Sequence, residues 1–188
     1  MRIITLIPVC LLLSACQTTG PLDENSPFHV LPSGSRLVLK QELTIPSRSA
    51  HVTLQGGRVV NDNDVNWYHP NCRLEVNDVR DTTQTVTADE FVVRRVRQEA
   101  QTVERTGLMK TGSYGFRTSG ETPSFYIFRT IMDLRSERQP QVRWLTCQQW
   151  DHPALGRHVT IREIRATLGG IMTLQLPSTA SDGNRQGQ

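Results

Sequence analysis

Hydrophobic and polar residues alternate along most of the chain between residues 36 and 150, as they do in strands that bury one face. The clearest alternation covers residues 72–76, 124–134 and 142–150, and weaker pieces cover 36–45, 51–55, 58–60, 83–88 and 91–103. Gly56-Gly57 separates two of these pieces and predicts a tight hairpin turn or a bulge. About seven strands joined by polar turns predict a mainly β fold, a single antiparallel β-sandwich or small barrel.

A different period appears near the C-terminus. Thr160 and Glu163 have the spacing of a capping box, in which each side chain satisfies a backbone N–H at the start of a helix. Gly169-Gly170 then provides a stop signal, and between these points apolar residues recur at helical spacing, at Ile161, Ile164 and Leu168. The sequence therefore predicts one short C-terminal helix at about 160–168, followed by a last strand at 171–176.

The N-terminus carries an apolar run from Ile3 to Leu13, which follows Arg2 and precedes small residues and Cys16. This order is typical of a secretory signal peptide, and the run is far shorter than the roughly 20 residues that span a bilayer as a helix. The tetrapeptide Leu13-Ser14-Ala15-Cys16 resembles the bacterial lipobox, and the resemblance implies cleavage before Cys16 and acylation of its thiol. It also implies an anchor of two or more acyl chains, which is enough for stable membrane attachment.

Gln17 follows the acylation position, where an aspartate is associated with retention in the inner membrane of enterobacteria. In a host with two membranes, the resemblance therefore implies attachment to the inner leaflet of the outer membrane, facing the periplasm. The expected organisation is a signal peptide at 1–15, a flexible tether at 16–34, a β-rich domain at 35–176 and a disordered tail at 177–188. The tether and the tail are predicted from their Gly, Pro and polar content.

Cysteine usage agrees with an oxidising compartment. Cys10 would leave with the signal peptide and Cys16 would be acylated, so Cys72 and Cys147 remain as one pair. A disulfide between them is expected, since no Cys-x-x-Cys motif indicates a reactive thiol. It would close a loop of about 75 residues and contribute roughly 4–5 kcal/mol by the chain-entropy model.

The most basic stretch of the chain contains Arg94, Arg95 and Arg97. One interpretation is that exposed arginines on an edge strand discourage edge-to-edge pairing. The other is contact with an anionic surface, such as lipopolysaccharide or phospholipid headgroups. The charge of the whole chain is only +3, and it falls by one without Arg2, so no nucleic-acid partner is expected.

One acidic segment resembles a calcium loop in its first residues only. Asp62-Asn63-Asp64-Val65-Asn66 has the right start, but Trp67 and Arg73 stand where a hand-type loop needs glycine and glutamate. A polar turn between two strands is therefore the preferred interpretation. A calcium site completed by distant ligands is the alternative.

The disulfide would also bring two histidine segments together. His69 lies near Cys72 in the sequence and Asp151-His152 lies near Cys147, so a His–Asp pair could act as a base or, with Asp64, hold a metal. The same segments contain four aromatic residues, which would pack on the disulfide in the core or form a platform for a carbohydrate or a peptide: Trp67, Tyr68, Trp144 and Trp150. No serine-hydrolase, zinc or phosphate-loop motif is present, so no catalytic residue, metal or cofactor is predicted.

These features favour a function without catalysis. The expected protein is a lipid-anchored periplasmic β domain that acts by binding an envelope protein, in envelope assembly or maintenance or as an accessory of a larger complex. An alternative is a lipoprotein that binds a small ligand or acts as an inhibitor, with a lipid, a glycan or lysozyme as its target. The lack of an acidic excess argues against a cationic lysozyme. The remote alternative is an envelope hydrolase that uses His69, Asp151 and His152.

Overall fold

The structure is a computed structural model that describes residues 22–103, 125–152 and 154–177. The ten strands in these ranges are β1 (Arg36–Leu39), β2 (Leu43–Ile45), β3 (His51–Gln55), β4 (Arg58–Val60), β5 (Asn71–Val76), β6 (Gln84–Val86), β7 (Asp89–Val103), β8 (Phe125–Arg135), β9 (Val142–Asp151) and β10 (Met172–Gln175). A helix, α1 (Ile161–Leu168), lies between β9 and β10, and a 3-10 turn covers Asp62–Asp64. No helix in these ranges has the length and the apolar character to cross a membrane. The predicted signal peptide, Cys16 and the chain beyond residue 177 lie outside the described residues.

Eight strands form one antiparallel sheet in the order β10-β1-β7-β8-β9-β5-β3-β4, and this sheet curls into a half-barrel. β2 and β6 pair separately as a short antiparallel ribbon. The predicted fold class is confirmed, because the described chain is mainly β and antiparallel and its one helix is short and C-terminal. β7 has 15 residues and its neighbour β1 has 4, so much of one side of β7 has no strand neighbour in the described ranges.

Alternation along the strands gives the sheet two different faces. The core face carries apolar side chains, which form one buried cluster with Ile161, Ile164 and Leu168 of α1. Apolar side chains of the β2–β6 ribbon join this cluster: Leu43, Ile45 and Val86. The residues between them on the eight strands form the outer face, most of which is polar.

The helix begins and ends at the predicted signals. The Thr160 hydroxyl oxygen accepts from the Glu163 N–H at 3.2 Å, and a Glu163 carboxylate oxygen accepts from the Thr160 N–H at 2.8 Å. Gly169, with a φ of 55°, follows the last helical residue. The last strand, β10, falls within the predicted range 171–176.

The predicted hairpin turn at Gly56-Gly57 joins β3 to β4, and both glycines have positive φ. This turn packs against the end of α1, where the Gly57 N–H donates to the Thr167 carbonyl at 3.0 Å. Gly169 lies so close that a Cβ atom added to it would be 2.4 Å from the Gly57 Cα. Gly57 and Gly169, which are distant in the sequence, therefore form one tight contact.

Cys72 and Cys147 form the expected disulfide. They lie directly opposite each other on β5 and β9, with Cα atoms 4.0 Å apart. Both residues are buried on the core face. The bond therefore links two neighbouring central strands from inside the domain.

Residues 22–34 fall in the predicted tether, yet they contact the domain. Arg165 of α1 donates two hydrogen bonds to the Glu24 carboxylate, at 2.9 and 3.1 Å. Leu31 is buried in the core cluster. The packed part of the chain thus begins before residue 35, because both a charged and an apolar side chain find partners on the domain.

Candidate binding groove on the outer sheet face

Strand register places residues of four strands in rows across the outer face. One row runs from Arg73 on β5 through Thr146 and Ile131 to Arg97 on β7, each residue directly opposite the next. Side chains directly opposite each other on a sheet are close enough to interact. In the same strand order, the two adjacent rows hold Asn71, Gln148, Arg129 and Glu99, and Glu75, Trp144, Asp133 and Arg95.

A groove of about 310 Å³ lies over the middle of these rows. Its volume is at the lower end of the roughly 300–1,000 Å³ that is usual for small-molecule sites. Thr146 and Ile131 are shorter than the arginines at the two ends of their row, so they form a low floor. All four strands supply its lining, which consists of Arg73, Glu75, Arg97, Arg129, Ile131, Trp144, Thr146 and Gln148.

Positive charge dominates the groove. The lining includes three guanidinium groups and a single carboxylate, that of Glu75. Arg97 lies 3.2 Å from Asp133 and Arg73 lies 3.7 Å from Asp62, so each of these two arginines has a counter-charge. Arg129 makes no ion pair within the described part of the chain.

Each of the three arginines has a donor that finds no acceptor in the described part of the chain. The Nε–H groups of Arg73, Arg97 and Arg129 are buried and have no hydrogen-bond partner within the ranges described. A buried donor that loses its partner costs roughly 1–3 kcal/mol. The three guanidinium groups that line one space are what suit the groove to an anion or to another group rich in acceptor oxygens.

An aromatic cluster borders the groove near the end of β9. Trp67 stacks on Trp150 with ring centroids 5.5 Å apart, and Tyr68 meets Trp150 edge-on at 6.1 Å. The Arg73 guanidinium lies 4.9 Å from the Trp67 ring centroid and so connects the groove with this cluster. Tyr68 is 56% exposed, which gives the cluster a solvent-facing edge.

The expectation that the aromatic residues pack on the disulfide is wrong. Along β9, Trp144 and Trp150 stand at positions of opposite parity to Cys147, so they lie on the outer face and the disulfide lies on the core face. Trp144 is also apart from the other aromatic residues, at the opposite end of the groove, where Arg143 lies over its ring at 3.9 Å. A platform for a ligand stays a hypothesis for this face.

The three arginines of the basic stretch on β7 lie in different environments. Arg97 lines the groove, Arg95 lies opposite Asp133 on the outer face, and Arg94 is exposed at a register shift between β7 and β8. β1 pairs with β7 only as far as Val92. Beyond that point β8 is the only strand beside β7 in the described ranges, so the arginines lie along an open edge, as expected if they discourage pairing there.

The two histidine segments are exposed. His69 and His152 both have exposed side chains, and Asp151 accepts a hydrogen bond from the His152 backbone N–H at 2.8 Å. Within the residues that the structure describes, no three His, Cys, Asp or Glu side chains are grouped as a metal site requires. Asp64 lies in the 3-10 turn, which confirms the polar turn between β4 and β5.

Asp62 makes a contact that the sequence does not indicate. The carboxylate lies 2.7 Å from Nε2 of His51 and accepts from the Thr53 hydroxyl at 2.8 Å. Burial favours its neutral form, but the hydrogen bonds from Thr53 and His51 outweigh burial and keep the pKa of Asp62 below its usual value. Asp62 is therefore an ionised group at the Arg73 end of the groove.

Sequence reasoning misses Arg73 and Arg129 as members of a site. Both stand at polar positions of alternating strands, which is the signal that places them on an outer face. Their approach depends on the order of the strands, since they belong to β5 and β8 with β9 between them.

Comparison of the chain with known protein families, with curated proteins and with solved structures finds no match. The groove and the N-terminal tetrapeptide are therefore the two features that bear most directly on its function.

Proposed function

We propose that this chain is a lipid-anchored protein of the bacterial envelope that faces the periplasm and acts by binding. The observation that carries the proposal is the groove on the outer sheet face, where four strands present three arginines, a tryptophan and hydrogen-bonding side chains to one space. A concave surface with a few placed polar groups has the character of a recognition site. Its role would lie in envelope assembly or maintenance, or in support of a larger envelope complex.

The resemblance to a lipobox supports a position close to the membrane. Cys16 would carry the acyl chains, and Glu24 is held on α1 by Arg165. The eight residue steps between Cys16 and Glu24 span at most about 26–29 Å even when the chain is fully extended. That length is comparable with the diameter of a small domain. The domain would thus stay within about one domain diameter of the membrane surface.

Photocrosslinking in cells of the source bacterium tests this proposal. A photoreactive amino acid replaces Gln101, an exposed outer-face residue of β7, in the full-length chain. The matched control carries the same probe at Val79, which is exposed in the loop between β5 and β6. A third strain combines the Gln101 probe with Cys16→Ala. We expect a specific crosslink to an envelope protein at Gln101 and none at Val79.

The anchor variant makes the outcome decisive. If the lipid anchor positions the groove, Cys16→Ala weakens the Gln101 crosslink at least several-fold. Equal crosslinks at Gln101 and Val79 would show non-specific contact and would contradict binding through the outer face. An unchanged crosslink in the Cys16→Ala strain would contradict the anchored position.

A second candidate function is the binding of a small ligand, and the volume of the groove, about 310 Å³, favours it specifically. Three arginines line the groove, so this ligand would be anionic. Inhibition of a cationic lysozyme does not fit this lining because like charges would meet.

A further inference from the structure

We infer that the groove binds the phosphate group of an anionic lipid headgroup through Arg73, Arg97 and Arg129. This inference rests on the proposed function in one respect, the position of the domain at a membrane. It deepens that function because it names the ligand class of the groove.

The chemistry of the lining selects phosphate. Guanidinium groups present parallel N–H donors that match the oxygens of a phosphate, and these hydrogen bonds are charge-assisted. Arg129 brings a charge with no carboxylate partner in the described ranges, and it lies one row from Arg73 and Arg97. Thr146 and Gln148, also in the lining, add neutral donors for the remaining oxygens.

The spacing of the arginines suits a single group held between them. Arg73 and Arg97 stand at the two ends of a row across four strands, so three interstrand steps of about 4.8 Å separate their backbones by roughly 14 Å. Both side chains line the same groove over the shorter Thr146 and Ile131. A phosphate between them would be reached from opposite sides, with Arg129 as the third contact.

The surroundings of the groove favour a lipid over free phosphate. Ile131 and Trp144 belong to the lining, and the aromatic cluster of Trp67, Tyr68 and Trp150 borders it. Tryptophan and tyrosine are the residues enriched where protein meets the headgroup region of a bilayer. Free phosphate needs no such apolar border. A lipid headgroup, with its glycerol and the start of its acyl chains, would contact both the arginines of the groove and its aromatic border.

Native mass spectrometry of the full-length acylated protein in a nonionic detergent tests the inference. The probes are phosphatidylglycerol, phosphatidylcholine with the same acyl chains, and inorganic phosphate. Arg129→Gln removes one guanidinium of the groove. Arg135→Gln is the matched control, because Arg135 is an exposed arginine of the same strand outside the groove lining.

We expect one phosphatidylglycerol per protein, bound at least tenfold more tightly than phosphatidylcholine. Arg129→Gln should weaken this binding at least tenfold and Arg135→Gln less than twofold. Arg97→Gln provides the same test if Arg129→Gln fails to fold, as judged by thermal unfolding.

Three results would overturn the inference. Equal binding of both lipids would show that the headgroup charge is not recognised. Equal loss in the Arg135→Gln variant would show general electrostatic attraction without a site. Binding of inorganic phosphate with no preference for the lipid would assign the groove to free phosphate. None of these results depends on a protein partner, so a crosslink from Gln101 in cells can still support the proposed function when this inference fails.

Discussion

Arg73 and Arg97 lie in one row of the sheet although two strands separate them. Thr146 of β9 and Ile131 of β8 fill the two positions between, each directly opposite its neighbour. The row has a long cationic side chain at each end and two shorter side chains in the middle. It therefore forms a groove whose ends are charged. Strand register alone sets this arrangement. The effect of a substitution in the groove lining can therefore be assigned to the row that contains the residue.

The Nε–H donor of Arg129 has no acceptor within the described ranges, which predicts that this residue does not stabilise the fold. Arg129→Met should leave the free energy of unfolding within about 1 kcal/mol of the original, since an apolar side chain removes a buried donor that finds no acceptor in those ranges. Arg165→Met is the contrasting variant, because Arg165 donates two hydrogen bonds to Glu24. It should lose about 1–3 kcal/mol. Urea unfolding followed by circular dichroism measures both, and a larger loss for Arg129 would contradict the prediction.

Much of the fold can be predicted because its signals are local. Alternation in residues 72–76 is a property of one strand, and the capping box of Thr160 and Glu163 is a property of one helical turn. The disulfide follows from counting once Cys10 and Cys16 are assigned to the predicted signal peptide and its acylation position, because Cys72 and Cys147 are then left for pairing. These predictions need no knowledge of which strands are neighbours.

The groove could not be predicted because it depends on strand order. Alternation places Arg73 and Arg129 on an outer face, but only the β5-β9-β8 order brings them together. The predicted tether shows a second limit of local reasoning. Its Gly and Pro content indicates flexibility, yet Leu31 and Glu24 find partners on the domain, and composition carries no information about such partners.

Loss of the disulfide should destabilise the domain strongly. The Cys72→Ala/Cys147→Ala double variant should have a free energy of unfolding roughly 4–5 kcal/mol lower, because the unfolded chain regains the freedom of a loop of about 75 residues. Urea unfolding with and without a reducing agent provides the control. The reductant should lower the midpoint of the original protein and leave that of the double variant unchanged. A decrease of less than about 1 kcal/mol would show that the bond adds little beyond strand pairing.

Glu163 should make stability depend on pH in the acidic range. Hydrogen bonds from Arg157 outweigh burial and lower the pKa of Glu163 from 4.5 to about 2. Because the folded pKa is the lower one, the carboxylate contributes fully above about pH 4.5 and loses its contribution as the pH falls to about 2. The Glu163→Gln variant keeps a side-chain acceptor for Thr160 but lacks this charge.

Urea unfolding of both proteins across this pH range tests the prediction. The stability advantage of the original over Glu163→Gln should be largest near neutral pH and disappear near the folded pKa. Glu137→Gln, at an exposed residue, is the control and should show little difference from the original at any pH. A constant difference for Glu163→Gln would mean that shape and not charge explains the contribution of this residue.

The contact between Gly57 and Gly169 predicts unequal effects at two adjacent glycines. A Cβ at Gly169 would lie 2.4 Å from the Gly57 backbone, and its φ of 55° is a conformation that side chains disfavour. Gly170 has open space around a Cβ. Gly169→Ala should therefore lose about 2 kcal/mol or more, and Gly170→Ala should stay within about 1 kcal/mol of the original. Thermal or urea unfolding distinguishes them, and equal losses would show that the turn between β3 and β4 moves away from α1 at little cost.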